Sequence, residues 1–213
     1  MPVKIGHLES KKPHMKLNHV EEVFNKIEDL LELNCTYPVL PSMSSLEWEP
    51  YNSPKSNGRF ACSITSLDGC VNGIDMFSVF EYNIKNNTDY TEMSFSTPTK
   101  YAAPFNEFIN TFETGRSHYL KIQPGGYFPW HRDADPGALR VIYTIQNCDR
   151  TSLVWILDDK VLPLENNKWY CINTAKKHVV FNPSSGNDSV MALFNIANTV
   201  ENKMNLYYNC LYK

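Results

Sequence analysis

Three side chains in this sequence have the types and the order of a metal site. His131 and Asp133 stand at alternate positions in KIQPGGYFPWHRDADPGALR, and His178 follows much later in AKKHVVFN. On an extended strand, or at its end, alternate side chains leave the same face. The chain between them is long enough for several antiparallel strands to return His178 to the pair. Two imidazoles and one carboxylate on one side of an ion make the facial triad that holds non-haem Fe(II), with positions left open for oxygen and a co-substrate. Such triples also arise by chance, and a histidine is more often a satisfied core or surface residue than a ligand. The surrounding elements therefore carry much of the weight.

Arg140 is the next informative residue. It is the one cation in ALRVIYTI, an otherwise apolar strand on which it shares a face with Ile142 and Thr144. Either it meets a buried anion, for which its planar fork is well matched, or it is an edge-strand arginine paired with a surface carboxylate. The residues alone leave both open. Tyr127 and Trp130 flank the site as substrate wall or as ordinary core aromatics. Arg132 points away from the ligand pair by alternation, and Lys176 and Lys177 read as loop charges. No GxSxG, Walker A loop or GxGxxG occurs, so serine hydrolase, P-loop and dinucleotide-binding readings lack a starting motif.

The elements that must position these residues change character along the chain. Residues 1–16 are polar and basic and read as a loose arm. NHVEEVFNKIEDLLELN puts Val20, Val23, Phe24, Ile27, Leu30 and Leu31 at helical spacing behind an Asn18 cap, an amphipathic helix with a structural role. Residues 35–58 are rich in Pro and Ser and read as connection. Short helices are expected near 75–82, with Met76, Val79 and Phe80 as a stripe, and over PFNEFINTFE, where Pro104 suits a first turn. After Gly115 come short strands over 117–123 (ended by Pro124-Gly125-Gly126), 139–146, 152–157, 160–164, 168–172, 179–181, 190–197 and 205–212, separated by Asn/Asp/Gly/Pro clusters. Strands so short and so regularly broken predict an antiparallel sandwich or barrel. The fold class is α+β, mainly β: a jelly-roll core over 115–213 with a helical and irregular part, 17–114, packed outside it.

With 213 residues, 42% hydrophobic and 20% charged, the chain has ample material for one sizeable core. A net charge of −3 supplies no electrostatic reason to expect nucleic acid or a membrane surface as partner. The six cysteines are scattered without a CxxC, and no apolar leader or 18-residue apolar run occurs. The expectation is a reduced, cytoplasmic protein.

PGGYFPWHRD, then Arg140 in ALRVIYTI, His178 in KKHVVFN and the strand VMALFNI together resemble the aspartyl/asparaginyl β-hydroxylase family of Fe(II)- and 2-oxoglutarate-dependent oxygenases. The resemblance runs from about Arg116 to Ala197. It implies a double-stranded β-helix core, His131 and His178 on the iron, and Arg140 on the co-substrate carboxylate; Asp133 completes the general oxygenase triad, a carboxylate that some members of the family lack. It also implies O2 chemistry on an amino-acid side chain, in a polypeptide or free. Halogenation is disfavoured because Asp133 occupies the carboxylate position. One departure stands out. The family often has an arginine about ten residues past the distal histidine for the far carboxylate of 2-oxoglutarate, and here Asp188 and Ser189 stand there. Ser189 as a neutral donor and Arg116, on the same strand face as His118, Leu120 and Ile122, are the candidate replacements. Two readings compete with the oxygenase: a jelly-roll module that holds metal without turnover, and a nucleic-acid-modifying oxygenase, which should show a basic groove. The sequence is silent on oligomeric state.

Overall fold

The computed structural model describes residues 29–51, 57–72, 79–133 and 138–211. Among them lie the strands β1 (Leu30–Leu33), β2 (Glu49–Pro50), β3 (Asn57–Ser66), β4 (Thr97–Pro98), β5 (Thr114–His131), β6 (Ala138–Gln146), β7 (Val154–Leu157), β8 (Lys160–Val161), β9 (Trp169–Ile172), β10 (His178–Phe181) and β11 (Ser189–Ala197), and the helices α1 (Val79–Asn86), α2 (Asn106–Thr111) and α3 (Val200–Leu206). All strand pairs are antiparallel. The sheet runs β1-β9-β6-β11-β5-β10-β7-β8, with β3 also on β5 and β2 and β4 on β3. It curls on itself as a mainly-β jelly roll with few helices.

The curl depends on β5. Its first part pairs with β11 and β3 as far as Ile122, and after a bend Tyr127, Phe128 and His131 pair with β10, with Asn57 of β3 still opposite Tyr127. Pro124-Gly125-Gly126, expected to end a strand, instead bends one strand from the larger sheet into the smaller. Gly125 has φ +73°, which a side chain resists, and a Cβ on Gly126 would lie 2.8 Å from two backbone carbonyl oxygens, those of Gln123 and Gly58. Asn182 clamps the bend: its carbonyl accepts from Gly125 N–H, its N–H donates to Gly126 O, and its side chain donates to Ile122 O.

Two cores follow from the alternation of β5, β6, β9 and β11. Tyr119, Val141, Tyr143, Trp169 and Phe194 point outward against Phe105, Phe108, Phe112, Leu206 and Tyr207. Leu120, Ile122, Ile142, Tyr170 and Met191 point into the roll and meet Trp155, Leu157 and Val180 of the smaller sheet. Both faces are covered, so these strands read as nearly continuous apolar runs.

Several expected elements differ. Leu30 and Leu31 are extended, paired with Ile172 and Cys171, because the free edge of β9 offers a backbone ladder that a short helix end cannot match. Val20, Val23, Phe24 and Ile27, the 1–16 arm and Met76 lie outside the described residues. Of the α1 stripe, Val79 is buried but Phe80 is 72% exposed. The segment 205–212, expected as a strand, is helical as far as it is described: Thr199 caps α3 by accepting from Asn202 N–H, and Leu206, Tyr207 and Cys210 bury one face. β3 was not anticipated. It joins β5 directly, so the region before residue 114 contributes strands to the sheet. No described helix is long and apolar enough to cross a membrane.

Gly126→Ala should destabilise the fold by roughly 1–3 kcal/mol, since both obstructing atoms are backbone and neither can swing aside. Urea denaturation beside the wild type measures this, and an unchanged midpoint would contradict the bend geometry.

Candidate metal centre

His131 ends β5 and His178 begins β10, and the two are register partners across the smaller sheet. Their rings lie 4.0 Å apart between centroids. Asp133, just past the strand, is held by a hydrogen bond from its backbone N–H to Thr174 O at 3.0 Å. One ligand atom from each of His131, Asp133 and His178 lies within 4.8 Å of the others. Atoms about 2 Å from a common ion lie within about 4 Å of each other, so only a small side-chain adjustment separates this arrangement from a coordinating one.

The histidine tautomers follow from their partners. His131 Nδ1 lies 2.8 Å from Pro129 O and His178 Nδ1 lies 3.0 Å from Lys176 O. A carbonyl only accepts, so each Nδ1 carries a hydrogen, which in the neutral ring leaves the Nε2 lone pair that a metal-binding imidazole uses. Burial, together with repulsion from His131, lowers the pKa of His178 against the hydrogen bond it donates to the Lys176 carbonyl and the pull of Asp133, and this favours the neutral ring.

Asp133 is oriented from both sides. Its Oδ1 faces His131 Nε2 at 3.5 Å and its Oδ2 accepts from Arg140 Nη2 at 2.6 Å. Burial pushes the Asp133 carboxyl up, but the Arg140 guanidinium, helped by a hydrogen bond from Thr174, outweighs it and holds the group well below the usual carboxylate range. Of the two partners open to Arg140, a carboxylate at the strand end is the one it meets. Arg140 lines the inner face with Ile142, as alternation implied. The residues present thus fit a small divalent ion: two imidazoles whose Nδ1 atoms are tied to carbonyls and whose Nε2 atoms face the site, and a fixed, ionised carboxylate, one oxygen of which is not taken by arginine.

The other expected site residues are engaged elsewhere. Arg116 is buried on the inner face, where Nε donates to Glu92 Oε2 at 2.7 Å and Nη2 to the Tyr51 hydroxyl at 3.3 Å. Burial works against its charge, but Tyr51 and Glu92 more than offset this and raise its pKa. Glu92 Oε2 also accepts from Asn195 Nδ2 at 2.8 Å. The Ser189 hydroxyl donates to Ser152 O at 3.1 Å. Tyr127 and Trp130 are 42% and 45% exposed, with Lys177 Nζ 5.3 Å from the Trp130 ring centre. Arg132 turns away, toward Ala175 O.

Two inward-facing residues were not anticipated. Arg59 of β3 lies with its guanidinium carbon 3.9 Å from the centre of the Phe128 ring, which in turn sits 3.9 Å from the His131 ring. Trp155 of β7 stacks on His178 at 5.9 Å. Arg59 carries the same signal that exposed Arg140: it is a lone guanidinium in an apolar strand, RFACSIT.

Neither a protein-family model nor a curated protein matches the sequence. Solved structures similar to the chain include a 2OG-Fe(II) oxygenase family oxidoreductase from Burkholderia pseudomallei (9% identity, TM-score 0.46, 87% of this chain and 92% of that one). Others are the polyketide cyclase RemF from Streptomyces resistomycificus (9%, TM-score 0.40, 73% and 76%) and a predicted oxalate decarboxylase from Thermotoga maritima (15%, TM-score 0.33, 43% and 71%). Cupin domains also appear among them. Likeness this distant says nothing about chemistry.

Glu92→Gln should cost roughly 3 kcal/mol of stability, the lower end for breaking a buried ion pair, because the amide oxygen still accepts from Asn195 while Arg116 loses its counter-charge. Thermal and urea melts read this. A loss below a few tenths of a kcal/mol would mean the pair is effectively solvated.

Proposed function

We propose that this chain is an Fe(II)- and 2-oxoglutarate-dependent oxygenase that hydroxylates a C–H bond of an amino-acid side chain, in a polypeptide or free. The observation that carries this is the convergence of His131, Asp133 and His178, with both Nδ1 atoms tied to carbonyls and Asp133 fixed by Arg140. The amino-acid substrate class rests on the resemblance of PGGYFPWHRD and the strands after it to the aspartyl/asparaginyl hydroxylases.

His131, Asp133 and His178 would hold the iron. When bound, ferrous iron with a 2-oxo acid supplies the oxidation R–H + O2 + 2-oxoglutarate → R–OH + succinate + CO2. The protein's own tasks are orientation and exclusion of water. Pro129 and Lys176 carbonyls aim the imidazoles, and Arg140 keeps Asp133 ionised and turned so that Oδ1 remains toward His131. A guanidinium has five N–H donors, so Arg140 can hold Asp133 and still present donors to a co-substrate carboxylate. Leu157, Val180 and Ile172 dry the interior beside the site, which strengthens each of these contacts.

Anaerobic titration of the metal-free protein with Fe(II) and then 2-oxoglutarate should produce the weak visible charge-transfer band of a chelated 2-oxo acid. The band should vanish in His131→Ala and weaken in Arg140→Ala. Iron binding with no band would leave a metal-holding jelly roll without this chemistry, and absence of iron binding would end the oxygenase reading.

A further inference from the structure

Inside the roll, charges taken out of water need partners. Arg140 has Asp133, and Arg116 has Glu92, whose same oxygen also takes Asn195. Arg59 has no carboxylate among the described residues, and its Nη1 is buried with no hydrogen-bond partner. Its guanidinium lies on two aromatic faces, 3.9 Å from the centre of Phe128 and 4.4 Å from that of Tyr51. Rings of this kind position a cation but leave its in-plane N–H donors unused. Burial pulls its pKa down to about 10, Tyr51 and Asp133 oppose this, and Arg116 and Arg140 add repulsion. It is still a full cation near neutral pH. A second orphaned donor, Trp155 Nε1, belongs to the inner core on the opposite sheet. Among the described residues the interior therefore holds an excess of positive charge and unused donors, and a divalent ion would add to that excess. Such a lining is arranged for an anion.

The position of Arg59 narrows which anion. Alternation puts it on the inner face with Ala61, across from Ile122 on β5. Its guanidinium and the His131 imidazole both contact the Phe128 ring, which puts them at most about 8 Å apart. That is the reach of a short carbon chain, with one acid group at the candidate metal ligands and another at Arg59. Ser189, where related oxygenases place an arginine, spends its hydroxyl on Ser152 O.

We propose that Arg59, from β3, anchors the second carboxylate of a dicarboxylic 2-oxo acid whose first carboxylate lies at the His131/Asp133/His178 site. This rests on the oxygenase reading above and supplies its missing cation from a different strand.

The test compares 2-oxoglutarate with 2-oxobutanoate, which has the same 2-oxo acid head and no far carboxylate. Binding of each to the Fe(II)-loaded full chain, without oxygen, is measured by calorimetry and by the charge-transfer band. The wild type should prefer 2-oxoglutarate by about tenfold or more, as a charge-assisted pair implies. Arg59→Gln should lose that preference, with 2-oxobutanoate affinity, iron affinity and melting temperature little changed. Arg59→Lys, which keeps the charge but not the fork, should retain part of it. It also serves as the test, with the wild-type preference, should the glutamine variant fold poorly. A wild type without preference, or an Arg59→Gln that keeps it or weakens both acids alike, would overturn the anchor while leaving the oxygenase reading intact. Failure of both acids to bind the iron-loaded wild type would overturn both.

Discussion

Everything at the candidate site hangs on β5 serving two sheets. Its first half is locked between β11 and β3, and its last residues pair with β10 after the bend at Pro124-Gly125-Gly126. That bend is possible because Gly125 accepts a positive φ, Gly126 has no Cβ to strike two carbonyls, and buried Asn182 ties the turn to both sides. It swings His131 over the open end of the roll, where β10 presents His178 in register. Because the sheets are linked by a continuous strand, the ligand pair moves with the core. A backbone ladder thus brings the two imidazoles side by side, leaving only a side-chain adjustment between this arrangement and a coordinating one.

Charge balance inside the roll is the second constraint. Desolvation raises the energy of every ionised group there, and each is stable only against an opposite charge or a bound ligand. Asp133 remains a carboxylate because Arg140 faces it, and Arg116 remains compensated because Glu92 reaches in from a turn that precedes α2. Among the described residues the pairing leaves Arg59 over, lying on π faces in place of anions. Structure and proposed chemistry meet at that imbalance, since a site that must recruit an anionic co-substrate has reason to leave one cation uncompensated.

Much of the architecture was legible because period-two alternation and turn residues are local. The strands from β6 to β11 appear close to where the pattern put them, and the inner and outer faces of β6 follow from ALRVIYTI. Local signals failed where a short apolar segment could take either form. Leu30 and Leu31 suited a helix and became an edge strand, and 205–212 suited a strand and became helical, each following the surface it packs against. β3 was missed because its neighbours are Pro- and Ser-rich, and with it Arg59.

The sequence by itself determined the donor types, their order along the chain and the face each occupies, since all of these depend on residue identity and strand parity. It also exposed Arg140 as a lone cation in an apolar strand. Only the tertiary structure decided which carboxylate meets which guanidinium. The contacts of Arg140 with Asp133, Arg116 with Glu92, and Arg59 with Phe128 are set by strand register and by loops returning from elsewhere in the chain. Electrostatic energy depends on distance through space and on the water excluded between the groups, and neither quantity is written in sequence separation.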